Sequence, residues 1–211
     1  QTKLLEINLK CGAQQVADAI LQNNMFTHYD RQYIAKLCEG AGLSQRALEH
    51  YTDVEDIKRS LVAMCANPQM INTEFVLSFF GSLSPEASLE CLKELLSRNM
   101  RANMHICTQV SAKYTEQIGC DALITMYENF KCFEGLYYYL GQIVNFSQEA
   151  NVHLKYIEAA TKCQQYKEVE RVCAMCTAAH KGSLSELKSF LDGADVSINE
   201  GDCKLCALFV S

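Results

Sequence analysis

Proline is almost absent from this chain of 211 residues, and its scarcity narrows the folds available more than any other feature. The two prolines are Pro68 and Pro85. Alternating runs of β-branched residues, which are typical of strands, are scarce, whereas apolar residues recur with helical spacing. The sequence therefore predicts an all-α fold with about a dozen helices and no strand before residue 190. Besides a helix after Ser84, helices are predicted near residues 13–23, 29–39, 45–51, 57–64, 73–81, 101–117, 121–131, 134–145, 150–163 and 166–176.

Several helix starts are marked by capping residues. Ser84 can cap a helix that begins at Pro85, because the first helical turn does not need the N–H that proline lacks. Thr52 and Glu55 have the spacing of a capping box ahead of another helix. These signals support separate short helices rather than one long rod.

The helices are joined by short connectors and recur as pairs, with roughly 28–32 residues per pair. Gly40 and Gly42 lie where one helix should stop and the chain should reverse. The apolar run Leu136–Leu140 covers much of a helix circumference, as expected of a helix with neighbours on two sides. The pattern predicts an α-α superhelix, which is a solenoid of stacked antiparallel helical hairpins.

The twelve cysteines do not have the spacing of a secreted disulfide framework. Six fall singly inside helix-like segments and are interpreted as small buried apolar residues in a reducing cytoplasm. These are Cys38, Cys65, Cys91, Cys107, Cys132 and Cys163.

Charge and hydropathy exclude other classes of function. The net charge of −6 and the scattered basic residues argue against nucleic acid and acidic membrane surfaces as partners. No stretch approaches the roughly 18 apolar residues that span a bilayer, and the first residues lack the apolar core of a signal peptide. Because the chain begins at Gln1 rather than Met, we expect a fragment of a longer protein.

No catalytic or cofactor-binding residue is predicted. The five histidines form no H-E-x-x-H pair, no phosphate-binding glycine loop occurs, and no signature of a catalytic cysteine is present. His28 is expected to help bridge two helices. Tyr137, Tyr138 and Tyr139 are expected either to pack in the core or to form a surface suited to an interface. The core is favoured because three successive helix positions point in different directions.

A zinc site in the tail is the competing hypothesis. Cys173 and Cys176 form one C-x-x-C pair and Cys203 and Cys206 form another, so four thiolates could bind zinc, with His180 as a substitute ligand. However, Cys173 and Cys176 also continue an apolar helix face that includes Val169 and Val172, and the two pairs are unusually far apart. The expected reading is a buried helix face, and no metal is assigned.

Long strings of this sequence resemble the clathrin heavy chain family. They include Met25–Arg31, Ile34–Glu39, Gln45–His50, Asp56–Arg59, Phe79–Ser84, Ser88–Leu92, Ile143–Gln148 and Lys167–Arg171. The resemblance covers residues 1 to about 172. It implies part of the ankle and distal leg, which is an α-solenoid in that family.

The resemblance also implies a structural role without enzymatic activity. A leg segment would contact other heavy-chain legs in the coat of cytoplasmic coated vesicles and coated pits, and so support vesicle-mediated transport, including endocytosis. The family's light-chain and adaptor-binding regions would lie outside this segment. The alternative is a stand-alone helical scaffold that binds a protein partner.

Residues 173–211 depart from the clathrin-like pattern. Gly182 and Gly193 punctuate this tail much as glycines punctuate an ankyrin repeat, and Ala178–Gly182 and Gly193–Val196 carry the similarity. A single ankyrin unit cannot bury its own faces. The tail is therefore expected to be a divergent helix pair or a partly disordered segment.

Overall fold

The computed structural model describes residues 1–66 and 72–179, with side chains as far as Met175. Within these ranges the chain forms twelve α-helices and no strand. The predicted all-α fold class, built of successive helical hairpins, is confirmed for the residues that the structure describes. It divides into two compact units, Gln1–Phe130 and Lys131–Ser211. The tail from residue 180 onward lies outside the described residues, so its predicted ankyrin-like character and the boundary at residue 172 stay predictions.

The first unit contains nine of the described helices. They are α1 (Thr2–Lys10), α2 (Gln14–Gln22), α3 (Arg31–Gly40), α4 (Ser44–His50), α5 (Val54–Cys65), α6 (Thr73–Phe80), α7 (Pro85–Lys113), α8 (Thr115–Ile118) and α9 (Cys120–Asn129). Most packing is between helices close in sequence: α1 packs on α2 and α3, α3 on α4, α4 on α5, and α5 and α6 on α7. Such local packing is typical of stacked helical hairpins.

The second unit begins with three described helices. They are α10 (Phe133–Ile143), α11 (Ala150–Lys162) and α12 (Tyr166–Ala179). Helix α11 packs on α10 and on α12. At Gly141 of α10 an added Cβ would lie 3.5 Å from the ring of Tyr156 in α11, which is an ordinary van der Waals distance.

Capping side chains mark the starts of α3, α5, α6 and α7. The Ser84 hydroxyl accepts a hydrogen bond from the N–H of Ala87 at 3.2 Å, and Pro85 follows it as predicted. The predicted capping box at Thr52 is wrong, because Asp53 is the N-cap of α5 and its carboxylate accepts from the N–H groups of Glu55 and Asp56. A carboxylate one residue later in the chain therefore takes the cap.

Helix α7 is interrupted in its middle. Asn99 has extended backbone angles (φ −155°, ψ 87°), and its side chain accepts a hydrogen bond from the N–H of Ala102 at 3.1 Å. The buried Asn103 amide donates to the carbonyl of Leu95 at 2.8 Å across the break. Asn99 thus acts as an N-cap for the second half, which explains why the sequence predicts a separate helix beginning near residue 101.

Five of the six cysteines predicted to be buried are so: Cys38, Cys65, Cys91, Cys107 and Cys132. Cys163 is partly exposed, because it is the C-cap residue of α11. Cys38, Cys65 and Cys91 are at most 2% exposed and lie inside helices α3, α5 and α7. Burial raises the pKa of Cys38 and Cys65 to about 11 and that of Cys91 to about 12. A thiol with so high a pKa is a poor nucleophile, which agrees with a packing role for these residues.

Candidate protein-interaction surface

The zinc hypothesis concerns residues that the structure only partly describes. Cys173 is 2% exposed in α12, beside the buried Val169 and Val172, so the predicted apolar helix face is present. The side chain of Cys176 and all of His180, Cys203 and Cys206 lie outside the described residues. Across residues 1–66 and 72–175, whose side chains the structure describes, no cluster of three or more His, Cys, Asp or Glu residues could hold a metal ion.

His28 was expected to bridge two helices, but its neighbour in the chain makes the bridge. The ring of His28 is exposed, and its Nδ1 lies 2.7 Å from the hydroxyl of the adjacent Thr27. The bridge is instead made by Tyr29, whose hydroxyl lies 2.5 Å from Nε2 of the buried His50 at the end of α4. The expected role of His28 was therefore wrong by one residue.

A partly buried ion pair joins α2 to α4. Nε of Arg46 lies 2.7 Å from Asp18, and the same guanidinium donates to both carboxylate oxygens of Glu49. The side chain of Arg46 is 14% exposed, so its charge interacts in a setting less screened than bulk water. Beside this ion pair is an open cavity of about 450 Å³ whose wall includes Tyr29 and His50.

A second polar cluster joins α3, α5 and the connector between α4 and α5. The carboxylate of Glu39 accepts hydrogen bonds from the Tyr51 hydroxyl at 2.6 Å and from Arg59 at 2.9 Å. Arg59 also pairs with Asp56 at 2.6 Å. Although burial opposes it, these two donors hold the pKa of Glu39 below its usual value. These charged groups form side-chain bonds between successive hairpins rather than a reaction centre.

We expect His50→Gln to weaken the dependence of stability on pH between about pH 7.5 and about pH 5.5. Burial lowers the pKa of His50, although the carbonyl of Arg46, 2.7 Å from Nδ1, acts in the opposite direction. The unfolded chain therefore binds a proton more readily than the folded chain, so the free energy of unfolding falls as the pH falls through about 6.5. Urea unfolding at both pH values measures this slope.

The control for this prediction is His28→Gln, because the ring of His28 is exposed. The control should keep the slope of the unsubstituted chain. An equal slope for His50→Gln and the unsubstituted chain would show that His50 does not carry the pH dependence.

Eight large apolar side chains are exposed on the described surface. In the first unit they are Leu4, Ile7, Val16, Met25 and Tyr33; in the second they are Tyr138, Phe146 and Tyr166. Phe146, in the connector after α10, is 86% exposed. Scattered apolar residues are ordinary on protein surfaces, but an aromatic ring this exposed is a typical anchor for a protein interface.

The tyrosine run of α10 divides between core and surface, so neither alternative predicted from the sequence holds for all three residues. Tyr139 is fully buried, Tyr137 stacks on Tyr156 with ring centroids 5.4 Å apart, and Tyr138 is 51% exposed. Phe146 was not singled out from the sequence. Its signal is its position just past the end of α10 between the polar Asn145 and Ser147, where no further helical turn can cover it.

No helix among the described residues is both long and apolar enough to cross a bilayer. The exposed aromatic side chains make the described surface suited to contacts with other proteins.

The sequence profile of the family described as "Clathrin: Region in Clathrin and VPS" matches residues 1–104 and 111–192. The chain belongs to the clathrin repeat family. The resemblance predicted from the sequence is thereby confirmed. The match to this clathrin region continues past residue 172, while the division of the chain at that residue stays a prediction.

Curated clathrin heavy chains are also similar to the chain. It is 60% identical over 173 residues to "Clathrin heavy chain" of Drosophila melanogaster and 59% identical over 173 residues to "Clathrin heavy chain 2" of Homo sapiens. Each alignment covers 82% of this chain and 10% of the relative. "Probable clathrin heavy chain 1" of Caenorhabditis elegans is 51% identical over 199 residues, which is 93% of this chain and 11% of the relative. The chain thus spans about a tenth of the length of these clathrin heavy chains.

Proposed function

We propose that this chain is a leg segment of a clathrin-type vesicle coat with a structural rather than a catalytic role. The observation that carries the proposal is the match to the clathrin repeat profile across most of the chain. In this proposal the partners are other heavy-chain legs. The segment works at the cytoplasmic surface of coated vesicles and coated pits and supports vesicle-mediated transport, including endocytosis.

The packing of the described helices supports a mechanical role. Stability in a solenoid is roughly a sum of contacts between neighbouring repeats, so such a chain can be extended without loss of its core. The ion pair of Arg46 with Asp18 and the bond of Arg59 to Glu39 each tie one helix to another across a repeat. These ties resist the sliding of hairpins past one another.

The exposed side chains support repeated weak contacts with neighbouring legs. Single aromatic anchors such as Phe146 and Tyr138 bind weakly on their own. When the legs are held together at many points, each contact forms at a high effective concentration, and the assembly is strong yet reversible. A coat that must be built and dismantled requires this combination.

The proposal is tested by the size and location of the native polypeptide. One antibody is raised against residues 13–60 and a second against residues 180–211, and both are used to probe cell extract and coated-vesicle fractions. A single large species that both antibodies detect in the coated-vesicle fraction is the expected result. Because the first antibody also sees any authentic heavy chain, the second antibody decides which species carries this sequence.

The contrary outcome is a tail signal confined to a species near 23.7 kDa, the mass of this chain, and absent from coated vesicles. Such a product would lack the remaining nine-tenths of a heavy chain. The stand-alone helical scaffold would then replace the coat segment as the proposed function.

A further inference from the structure

The register of the α10–α11 hairpin is fixed by contacts that step outward from its connector. Nearest the connector, Nε2 of His153 lies 3.2 Å from the carbonyl of Val144. Further along, the ring of Tyr156 stacks on that of Tyr137. At the open end of the hairpin, Nζ of Lys162 lies 3.7 Å from the centroid of the Phe133 ring. The two helices are therefore paired along their whole length.

One further step outward, each helix is followed or preceded by a cysteine. Cys132 is the N-cap residue of α10, next to Phe133, and Cys163 is the C-cap residue of α11, next to Lys162. Both are thiols; Cys132 is 3% exposed and Cys163 is partly exposed. The pKa of Cys163 is a second indication that the two thiols are close. Cys132 is among the groups that raise it, after burial and Glu134.

We propose that Cys132 and Cys163 are a disulfide-competent pair that closes the open end of the α10–α11 hairpin under oxidising conditions. The oxidant is hydrogen peroxide. The sulfur of Cys163, the more exposed of the two, attacks one peroxide oxygen, the O–O bond breaks, and a sulfenic acid and one molecule of water form. The sulfur of Cys132 then attacks the sulfenic sulfur, an S–S bond forms, and a second water leaves with the thiol proton. Two thiols are oxidised and one peroxide is reduced.

The surroundings set the conditions for this reaction. Burial raises the pKa of Cys132 and is the largest cause of the raised pKa of Cys163, so few thiolates are present at neutral pH. Charged groups near the pair include Lys131, which precedes Cys132, and Glu134, which raises the pKa of Cys163. Lys162 precedes Cys163, and its ammonium lies over Phe133. The disulfide therefore forms slowly, because the thiolate is the reactive species. Once formed, the bond holds α10 and α11 together at the end opposite their connector.

The test is oxidation of the full reduced chain with hydrogen peroxide at about pH 8.5, where more of each thiol is ionised. Remaining thiols are then blocked with N-ethylmaleimide, the chain is digested, and the peptides are identified by mass spectrometry. We expect the joined Cys132–Cys163 peptide to be the main intramolecular disulfide. We also expect it to form at least about tenfold faster in the folded chain than in concentrated urea, because folding supplies the proximity.

Two variants separate this pairing from general oxidation. In Cys163→Ser, Cys132 should stay a thiol after peroxide treatment, because it is buried and has lost its partner. In Cys11→Ser, the joined peptide should form as before, since Cys11 is likewise a helix C-cap residue but belongs to α1 in the other unit. The proposal is overturned if Cys132 is oxidised equally in Cys163→Ser. It is equally overturned if the joined peptide forms no faster in the folded chain than in urea.

Discussion

Phe80→Ala is expected to lower the free energy of unfolding by about 3–5 kcal/mol, the largest effect of any substitution considered. Phe80 ends α6, is fully buried, and is among the bulkiest of the completely enclosed side chains. Truncation removes the transfer free energy of the ring and leaves a cavity that close-packed neighbours can fill only in part. Urea unfolding followed by circular dichroism measures the loss as a lower midpoint with an unchanged slope.

Phe146→Ala is the matched control for this prediction. It removes the same ring from a position that is 86% exposed, so it should change the free energy of unfolding by less than about 0.5 kcal/mol. Phe80→Leu should fall between the two, because it keeps part of the buried volume. Equal losses for Phe80→Ala and Phe146→Ala would contradict the packing of α6 described above.

Gly81→Ala is expected to cost about 1–3 kcal/mol, although the backbone of Gly81 is compatible with any residue. Gly81 has φ −66°, so the effect arises from space alone. An added Cβ would lie 2.7 Å from the hydroxyl oxygen of Tyr114 and 3.2 Å from the carbonyl oxygen of Ser78. The Tyr114 hydroxyl would have to move, and it would lose its hydrogen bond to the carbonyl of Leu77.

A double-mutant cycle with Tyr114→Phe tests that explanation. Tyr114→Phe removes the hydroxyl and leaves the Leu77 carbonyl, one of the last in α6, without this donor. Since Gly81→Ala disrupts the same hydrogen bond, the double variant should lose less stability than the sum of the two single losses, by about 1 kcal/mol. Additivity within about 0.3 kcal/mol would show that the hydroxyl of Tyr114 is not what an alanine at this position displaces.

The sequence predicts the helices well where local signals act together. Ser84 and Pro85 mark the start of α7 because capping depends on neighbours within one turn. Helix α1 was not predicted: only Leu5 and Leu9 are buried in it, so its apolar pattern consists of a single i, i+4 pair. The ion pairs of Glu6 with Lys3 and Lys10 are the local signal that could have revealed it.

Contacts between residues far apart in the sequence were not predictable from local patterns. Gly81 meets Tyr114 only because the register of packed helices brings together residues more than thirty positions apart. Burial alone was easier to predict, since single cysteines within apolar helix faces already indicated core positions. The exposure of Phe146 depends on where α10 ends, and helix ends are the least predictable part of a periodic pattern.

The break at Asn99 also fixes how the two halves of α7 are oriented about their axes. In an uninterrupted helix, one inserted residue would turn everything downstream by about 100° and would carry its buried face into solvent. At Asn99 the hydrogen-bond ladder ends and a new one begins with its own cap. The angular position of Ile106 and Val110, which face the core, is therefore set anew by Asn99 and Asn103. Because Asn103 bonds to the carbonyl of Leu95 across the break, the register between the two halves depends on a side-chain hydrogen bond rather than on a continuous helical ladder.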